Sequence, residues 1–231
     1  ILQPLARYLK LNAVNIEKFP ESAWKLTYYI IICSYLFHVM VWSGQNDIVQ
    51  KPYNIWNDYY SQKNVPLDIG LAFLLEFSYY LHSLYGTLYL DSWRKDSPIM
   101  LFHHLLCLLL IGFSYATRYH KVGILLMFVH DYCDVFLEFS KCQVYMKYRN
   151  GKYHRLNDII ATFSFLLFTI LWFVGRLYYF PIMVIRSSSY STMSSSVSQP
   201  LPFYLLFNVL LWFMLALNVY WFIVSFPVLI F

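Results

Sequence analysis

HDYCDVFLEFSK, residues 130–141, lies inside a run from about Lys121 to Tyr145 that is otherwise apolar. Asp134, Glu138 and Lys141 follow Asp131 by three, seven and ten residues. On an α-helix that spacing gathers all four on one face, with His130 one turn from Asp134. Val135, Phe136, Leu137 and Phe139 are left to face lipid or neighbouring helices. An ionisable side chain at the centre of a bilayer costs about 3 kcal/mol on insertion scales. A polar stripe on such a helix must therefore line a cavity or meet a polar partner. This stretch predicts an all-α integral membrane protein whose helices enclose a polar interior.

The rest of the sequence agrees. Of 231 residues, 59% are hydrophobic and only 13% charged, against roughly 25% charged in soluble domains, and the mean hydropathy is +0.49. A membrane-crossing helix needs about 20 mainly apolar residues. Six stretches qualify, at about Trp24–Ser43, Leu67–Leu90, Ser97–Ala116, Lys121–Tyr145, Asp158–Pro181 and Pro202–Phe231. They are too long and continuous for the alternating strands of a barrel. Residues 1–23 are mixed and are expected to form a cytosolic or interfacial segment ahead of a six-helix domain at 24–231. The chain begins at Ile1 and shows no signal-peptide pattern, so a trimmed core is expected.

Lysine and arginine set the orientation. On the side of the N-terminus lie Arg7, Lys10, Lys18, Lys25, Arg94, Lys95, Lys147, Arg149, Lys152 and Arg155. The opposite side carries Lys51, Lys63, Arg118, Lys121 and Arg186. The excess places the N-terminus in the cytosol. Loops with Trp56, Tyr59 and Tyr60, and with the serine-rich run at 187–198, then become interfacial and flexible connections on the lumenal side. The net charge of +5 is modest, and its basic residues do not alternate with aromatics as a nucleic-acid groove requires. The four cysteines, Cys33, Cys107, Cys133 and Cys142, all fall in apolar stretches without a CxxC, and read as packing residues.

His103 and His104 are the second polar patch. Adjacent helical residues point about 100° apart, so one is expected to do chemistry while the other bonds to a carboxylate or backbone group. His103 lies roughly 9 Å in from Ser97, and Glu138 and Asp134 lie roughly 10 and 16 Å in from Tyr145, at 1.5 Å per residue. The two patches are thus expected to converge. Glu138 with Lys141 could instead be a salt bridge that only joins helices. Yet three carboxylates against one lysine leave negative charge for histidine, water or a cationic ligand. A histidine near its free pKa can deprotonate an amine or carry an acyl group, and a carboxylate can orient it. Zinc is a competing use of the same residue types, but neither HExxH nor a three-histidine spacing is present.

From about Asp91 to Tyr145 the sequence resembles the ceramide synthases of the TLC-domain family. The resemblance is carried by DSWRKDSPIMLFHHLL and RYHKVGILLMFVHDYCDVFLEFSKC, flanked by LEFSYYLHSLYGTLYLD, YHRLND and PFYLLFNVLL. It implies six membrane helices around a long cavity. The implied reaction moves a long-chain acyl group from acyl-CoA to the amine of a sphingoid base, giving ceramide. Acyl-CoA is a co-substrate, and no cofactor or metal is expected. By the same likeness His103, His104, Asp131 and Asp134 are catalytic, with His103 favoured as base or acyl carrier. His130, Glu138, Lys141, Glu76 and His82 are expected to bind or orient substrate. Arg94, Lys95, Lys147 and Arg149 are expected to meet CoA phosphates, although topology alone also explains basic loops. Sequence details look closest to the branch associated with an 18-carbon acyl chain. The loop at about Ile185–Leu201 is associated with that choice.

The family further implies an endoplasmic-reticulum membrane with the active-site entrance cytosolic. Its partners are acyl-CoA, sphingoid base and membrane lipid, with assembly as homodimers or as hetero-oligomers with other ceramide synthases, and no nucleic acid. A non-enzymatic lipid-binding protein of the same family and a metal-dependent lipid-amide hydrolase are the alternatives.

Overall fold

The computed structural model describes residues 3–42, 65–190 and 201–225. The aromatic loop with Trp56, Tyr59 and Tyr60 and the serine run at 191–198 lie outside these residues. In chain order the elements are α1 (Gln3–Tyr8), α2 (Ala13–Trp42), α3 (Leu67–Tyr89), α4 (Ser97–Ala116), α5 (His120–Met146), a hairpin of β1 (Tyr148–Arg149) and β2 (Lys152–Tyr153), α6 (Arg155–Trp172), a π-helical segment (Phe173–Ile185), α7 (Arg186–Tyr190) and α8 (Tyr204–Ser225). The long helices fall where the apolar runs lie. Four helical stretches are long and apolar enough to cross a membrane by length and composition: Ala13–Trp42, Ser97–Ala116, Arg155–Ser189 and Tyr204–Val224.

Two boundaries differ from the sequence reading. Helix α2 begins at Ala13 and runs unbroken through Pro20 to Trp42, so no break falls at residue 23. The fifth apolar run does not stop at Pro181. Proline lacks an N–H and its ring presses on the carbonyl four residues back, which breaks an α-ladder. Here the backbone widens instead into π-helix from Phe173 to Ile185, with Pro181 inside it. Local π adjustment of this kind keeps backbone groups bonded where no water can serve them. The chain then continues as α7, so Ser187 and Ser188 are buried helical residues rather than part of a flexible loop.

The described structure divides into two compact units, Ile1–Ser34 with His130–Gly175 and Tyr35–Val129 with Arg176–Phe231. In the first, Ala6, Leu11, Phe19 and Cys142 form a buried cluster joined by Ile16, Leu26 and Tyr145. Asn150 and Gly151, both at positive φ (53° and 68°), close the β1–β2 hairpin, as a tight two-residue hairpin turn requires. The hairpin is tied to the N-terminal segment by the Asn150 N–H, which donates to Lys10 O at 2.9 Å, and by bridge pairing of Leu11 with Arg149.

In the second unit α4 packs against both α3 and α8. Helix α3 buries Ile69, Ala72, Phe73, Glu76, Tyr80 and Thr87, a stripe at helical spacing. Phe113 stacks on Phe207, and Phe102 meets Phe213 edge-on, fixing α4 along α8. At the end of α4, Arg118 takes φ 64° and the Tyr119 N–H reaches back to Ser114 O at 2.7 Å. That left-handed residue ends the helix and turns the chain into α5.

Candidate functional site

The histidine patch belongs to the second unit. His103 and His104 are half-buried on α4, their ring centroids 5.7 Å apart. Tyr80 of α3 sits over both, at 6.2 and 6.3 Å. Their second contacts differ. His103 meets Trp221 of α8 at 4.9 Å with the rings perpendicular. One turn along α4, Cys107 places its Sγ 3.6 Å from His103 Nε2 and 3.7 Å from Nδ1. His104 instead has its Nδ1 3.4 Å from Thr87 Oγ1. The two histidines thus have different neighbours, a tryptophan and a cysteine at His103 and a threonine hydroxyl at His104. Glu76 is completely buried on the stripe that carries Tyr80 and Thr87, whereas His82 is exposed. A helix turns about 100° per residue, so six residues carry His82 to another side of α3 than Glu76.

The carboxylate patch belongs to the first unit. On α5, Asp131 is 1% exposed and Glu138 4%, His130 is also buried, and Asp134 is half-buried. The opposite side of α5 faces α6. There the Tyr132 hydroxyl donates to Leu171 O at 2.9 Å, Ser140 Oγ to Ala161 O at 2.9 Å, and Asn157 Nδ2 to Gln143 Oε1 at 2.8 Å. At 100° per residue these contacts point away from the stripe of Asp131, Asp134, Glu138 and Lys141. Nearer the hairpin, the stripe side of α5 meets the N-terminal segment, where Asn15 Nδ2 donates to Tyr145 O at 3.0 Å.

Lys141 Nζ lies 2.6 Å from Glu138 Oε1. The pair forms a salt bridge between two residues of α5, so this contact joins no second helix. It engages the stripe's lysine. Among the described residues, no cluster of three or more His, Cys, Asp or Glu could hold a metal ion.

The basic residues expected at CoA phosphates have different surroundings. Arg94 and Lys95 are exposed, Arg94 with Asp96 at 3.8 Å. Lys147 Nζ pairs with Asp158 Oδ1 at 3.2 Å, while the Tyr153 hydroxyl donates to Asp158 Oδ2 at 2.6 Å. That hydrogen bond to the carboxylate raises the Tyr153 pKa above the usual tyrosine value. Arg149 is half-buried in β1.

Sequence reasoning missed Tyr80, Thr87, Trp221 and the Cys107 contact. Tyr80 and Thr87 fall on the same α3 stripe as Glu76, at i+4 and i+11, and that spacing was an available signal. Trp221 carried none, because its meeting with His103 depends on how α8 lies against α4.

Residues 18–224 match the TLC domain. Over 223 residues, 96% of this chain, the sequence is 43% identical to Ceramide synthase 1 of Mus musculus and 42% identical to Ceramide synthase 1 of Homo sapiens. The chain spans 63% of the length of each of these two relatives. It is 29% identical over 238 residues to Ceramide synthase LOH1 of Arabidopsis thaliana, again with 96% of this chain and 70% of that one covered.

Proposed function

The chain belongs to the TLC-domain family, and on that premise we propose that it is the catalytic core of a sphingoid base N-acyltransferase, a ceramide synthase. The observation that carries the reading is the 42–43% identity to Ceramide synthase 1 across 96% of this chain, in a sequence that holds the histidine doublet and the HDxxDxxLExxK stripe. The reaction forms an amide from a thioester and an amine. The sphingoid ammonium must first lose a proton, and CoA leaves as the thiol.

His103 takes the proton or carries the acyl group; Tyr80 and Trp221 hold its ring. His104, beside Thr87, orients the pair. Asp131 and Asp134 receive the ammonium and polarise the imidazole, a joint role that rests on the family resemblance. His130, Glu138 with Lys141, and Glu76 bind or orient substrate, a role that rests on the same resemblance. His82 contributes least, being exposed.

All six long helices cross the membrane in this reading and surround a cavity for the acyl chain. Helices α3 and α5 fall short on apolar composition because they carry Asp68 and Glu76, and Lys121, Asp131, Asp134, Glu138 and Lys141. Of these, Glu76, Asp131, Asp134, Glu138 and Lys141 are groups to which the reading gives a role. The positive-inside balance supports a cytosolic entrance, with Arg94, Lys95 and Arg149 toward CoA phosphates. The family resemblance implies an 18-carbon acyl preference, an endoplasmic-reticulum location and assembly as homodimers or as hetero-oligomers with other ceramide synthases. No cofactor is required, since acyl-CoA brings its own activated bond.

The test is direct. Purified protein given C18 acyl-CoA and sphinganine should release free CoA and form dihydroceramide, and His103→Ala should abolish both. Undiminished turnover in that variant would remove the assignment.

A further inference from the structure

We propose that Arg149 and Lys152 form a binding site for one phosphomonoester group at the tip of the β1–β2 hairpin. The two residues are direct cross-strand partners on either side of the Asn150-Gly151 turn, and such partners hold their Cβ atoms about 5 Å apart. Like charges placed this way repel and lower stability. Among the described residues neither side chain forms an ion pair. Two facing cations with no acid between them are the complement of a dianion.

The two faces of the hairpin differ. Neighbouring strand residues point to opposite sides, so Tyr148 and Tyr153 share the other face, their ring centroids 5.3 Å apart. That face has its acid. Asp158 accepts from Lys147 at 3.2 Å and from the Tyr153 hydroxyl at 2.6 Å, and the Lys147 ammonium lies 5.9 Å from the Tyr148 ring centroid. Lys147 is committed there, which leaves Lys152 as the ammonium opposite Arg149. Backbone ties frame the pair: Leu11 bridges to Arg149, and the Asn150 N–H donates to Lys10 O at 2.9 Å. Exposed Lys10 is thereby held beside the turn as a third cation.

The charges select the ligand. A phosphomonoester carries about two negative charges at pH 7 and three acceptor oxygens. It can meet the guanidinium fork in two parallel bonds and the ammonium as a point charge. A phosphodiester brings one charge and leaves one cation over. Asn150, Gly151 and Lys152 are exposed, so the site is open to a ligand. Two sources of the group are at hand. The hairpin directly joins α5 to α6, on the cytosolic side by the positive-inside balance, where a lipid headgroup can end in a phosphomonoester. The other source is the 3′-phosphate of CoA, the one monoester in that molecule, and this source alone rests on the acyltransferase reading.

The test measures binding to the full chain in phosphatidylcholine nanodiscs with two pairs of probes that differ in ester type. One pair is CoA and dephospho-CoA; the other is dioctanoyl phosphatidic acid and dioctanoyl phosphatidylglycerol. In at least one pair the monoester should bind roughly tenfold more tightly, as expected for a charge-assisted hydrogen bond. Lys152→Gln should erase that preference, and Lys152→Arg should keep it. Neither variant should lower the thermal midpoint, because the glutamine removes a repulsion and the arginine preserves the charge. Lys18→Gln, which removes an exposed cation of α2 instead, should leave the preference in place. No preference in either pair, a preference that survives Lys152→Gln, or an equal loss in Lys18→Gln overturns the proposal. A preference for CoA assigns the site to the 3′-phosphate of the substrate. One confined to phosphatidic acid assigns it to a lipid headgroup and takes Arg149 out of the CoA contacts. A monoester preference in a protein that forms no dihydroceramide would sink the acyltransferase reading and leave this one standing.

Discussion

Replacing Gly175 with alanine should destabilise the protein through one aromatic ring. A Cβ at position 175 would stand 2.8 Å from both Cε1 and Cζ of Tyr132, and closer still to its hydroxyl oxygen. Ordinary contact begins near 3.4 Å, so the ring carbons must retreat by 3.4 − 2.8 = 0.6 Å and the hydroxyl further. The ring is not free to do so, because its hydroxyl is anchored to Leu171 O at 2.9 Å, just ahead of the π-helical segment. Overpacking costs roughly 1–3 kcal/mol, and the strained or lost hydrogen bond about 1 more. A total of about 2–4 kcal/mol corresponds to a thermal midpoint lowered by roughly 4–16 °C in a chain of this size. Thermal unfolding in nanodiscs, followed by circular dichroism, gives the number. Tyr132→Ala removes the obstacle, so Gly175→Ala in that background should be neutral or slightly stabilising, as alanine is in a helix. The reasoning fails if Gly175→Ala melts within a degree of wild type, or if its cost is the same in both backgrounds.

Three further outcomes follow from the polar groups. Thr87→Val takes the hydroxyl from beside His104 and should lower turnover by about tenfold, the worth of about 1.4 kcal/mol of orientation, with Thr87→Ser restoring most of it and the pH–rate profile moving only in the valine variant. Asp134→Asn should reduce kcat roughly a hundredfold without lowering the thermal midpoint; wild-type turnover would make the stripe architectural. Lys141→Met leaves Glu138 buried without its ammonium partner and should cost about 1–3 kcal/mol, below the value for a fully buried pair because the lysine side chain is two-fifths exposed. Adding Glu138→Gln should recover most of that loss in the same melting assay.

Long helices were the legible part of the sequence. Ser97–Ala116 is bounded as the apolar run indicates, and Lys121–Tyr145 extends by a single residue at each end to His120–Met146. Apolar length is a local property, and so is the three-and-four spacing that gathers the α5 stripe. The hairpin at 148–153 was also readable, since Asn150-Gly151 is the strongest short turn signal. Pro181 misled because a proline's effect depends on what surrounds it. Pro20 passes inside α2, and Pro181 is absorbed by a change of hydrogen-bond step. Half of the candidate site was legible as residue types, namely the histidines and carboxylates. Their environment was not. Trp221 against His103 and Thr87 against His104 join residues 118 and 17 positions apart, and only packed helices bring them together.

The π-helical segment from Phe173 to Ile185 gives this region slack. An α-helix that loses one residue rotates everything beyond the deletion by about 100° and misaligns every later contact. A stretch already bonded in the wider step can instead tighten toward α-geometry and take up part of that change. Single-residue deletions between Phe173 and Ile185 should therefore be tolerated better than the same lesion in α4, where His103, His104 and Cys107 depend on an unbroken register. The chain thus has a section where its length can drift and another where it is locked.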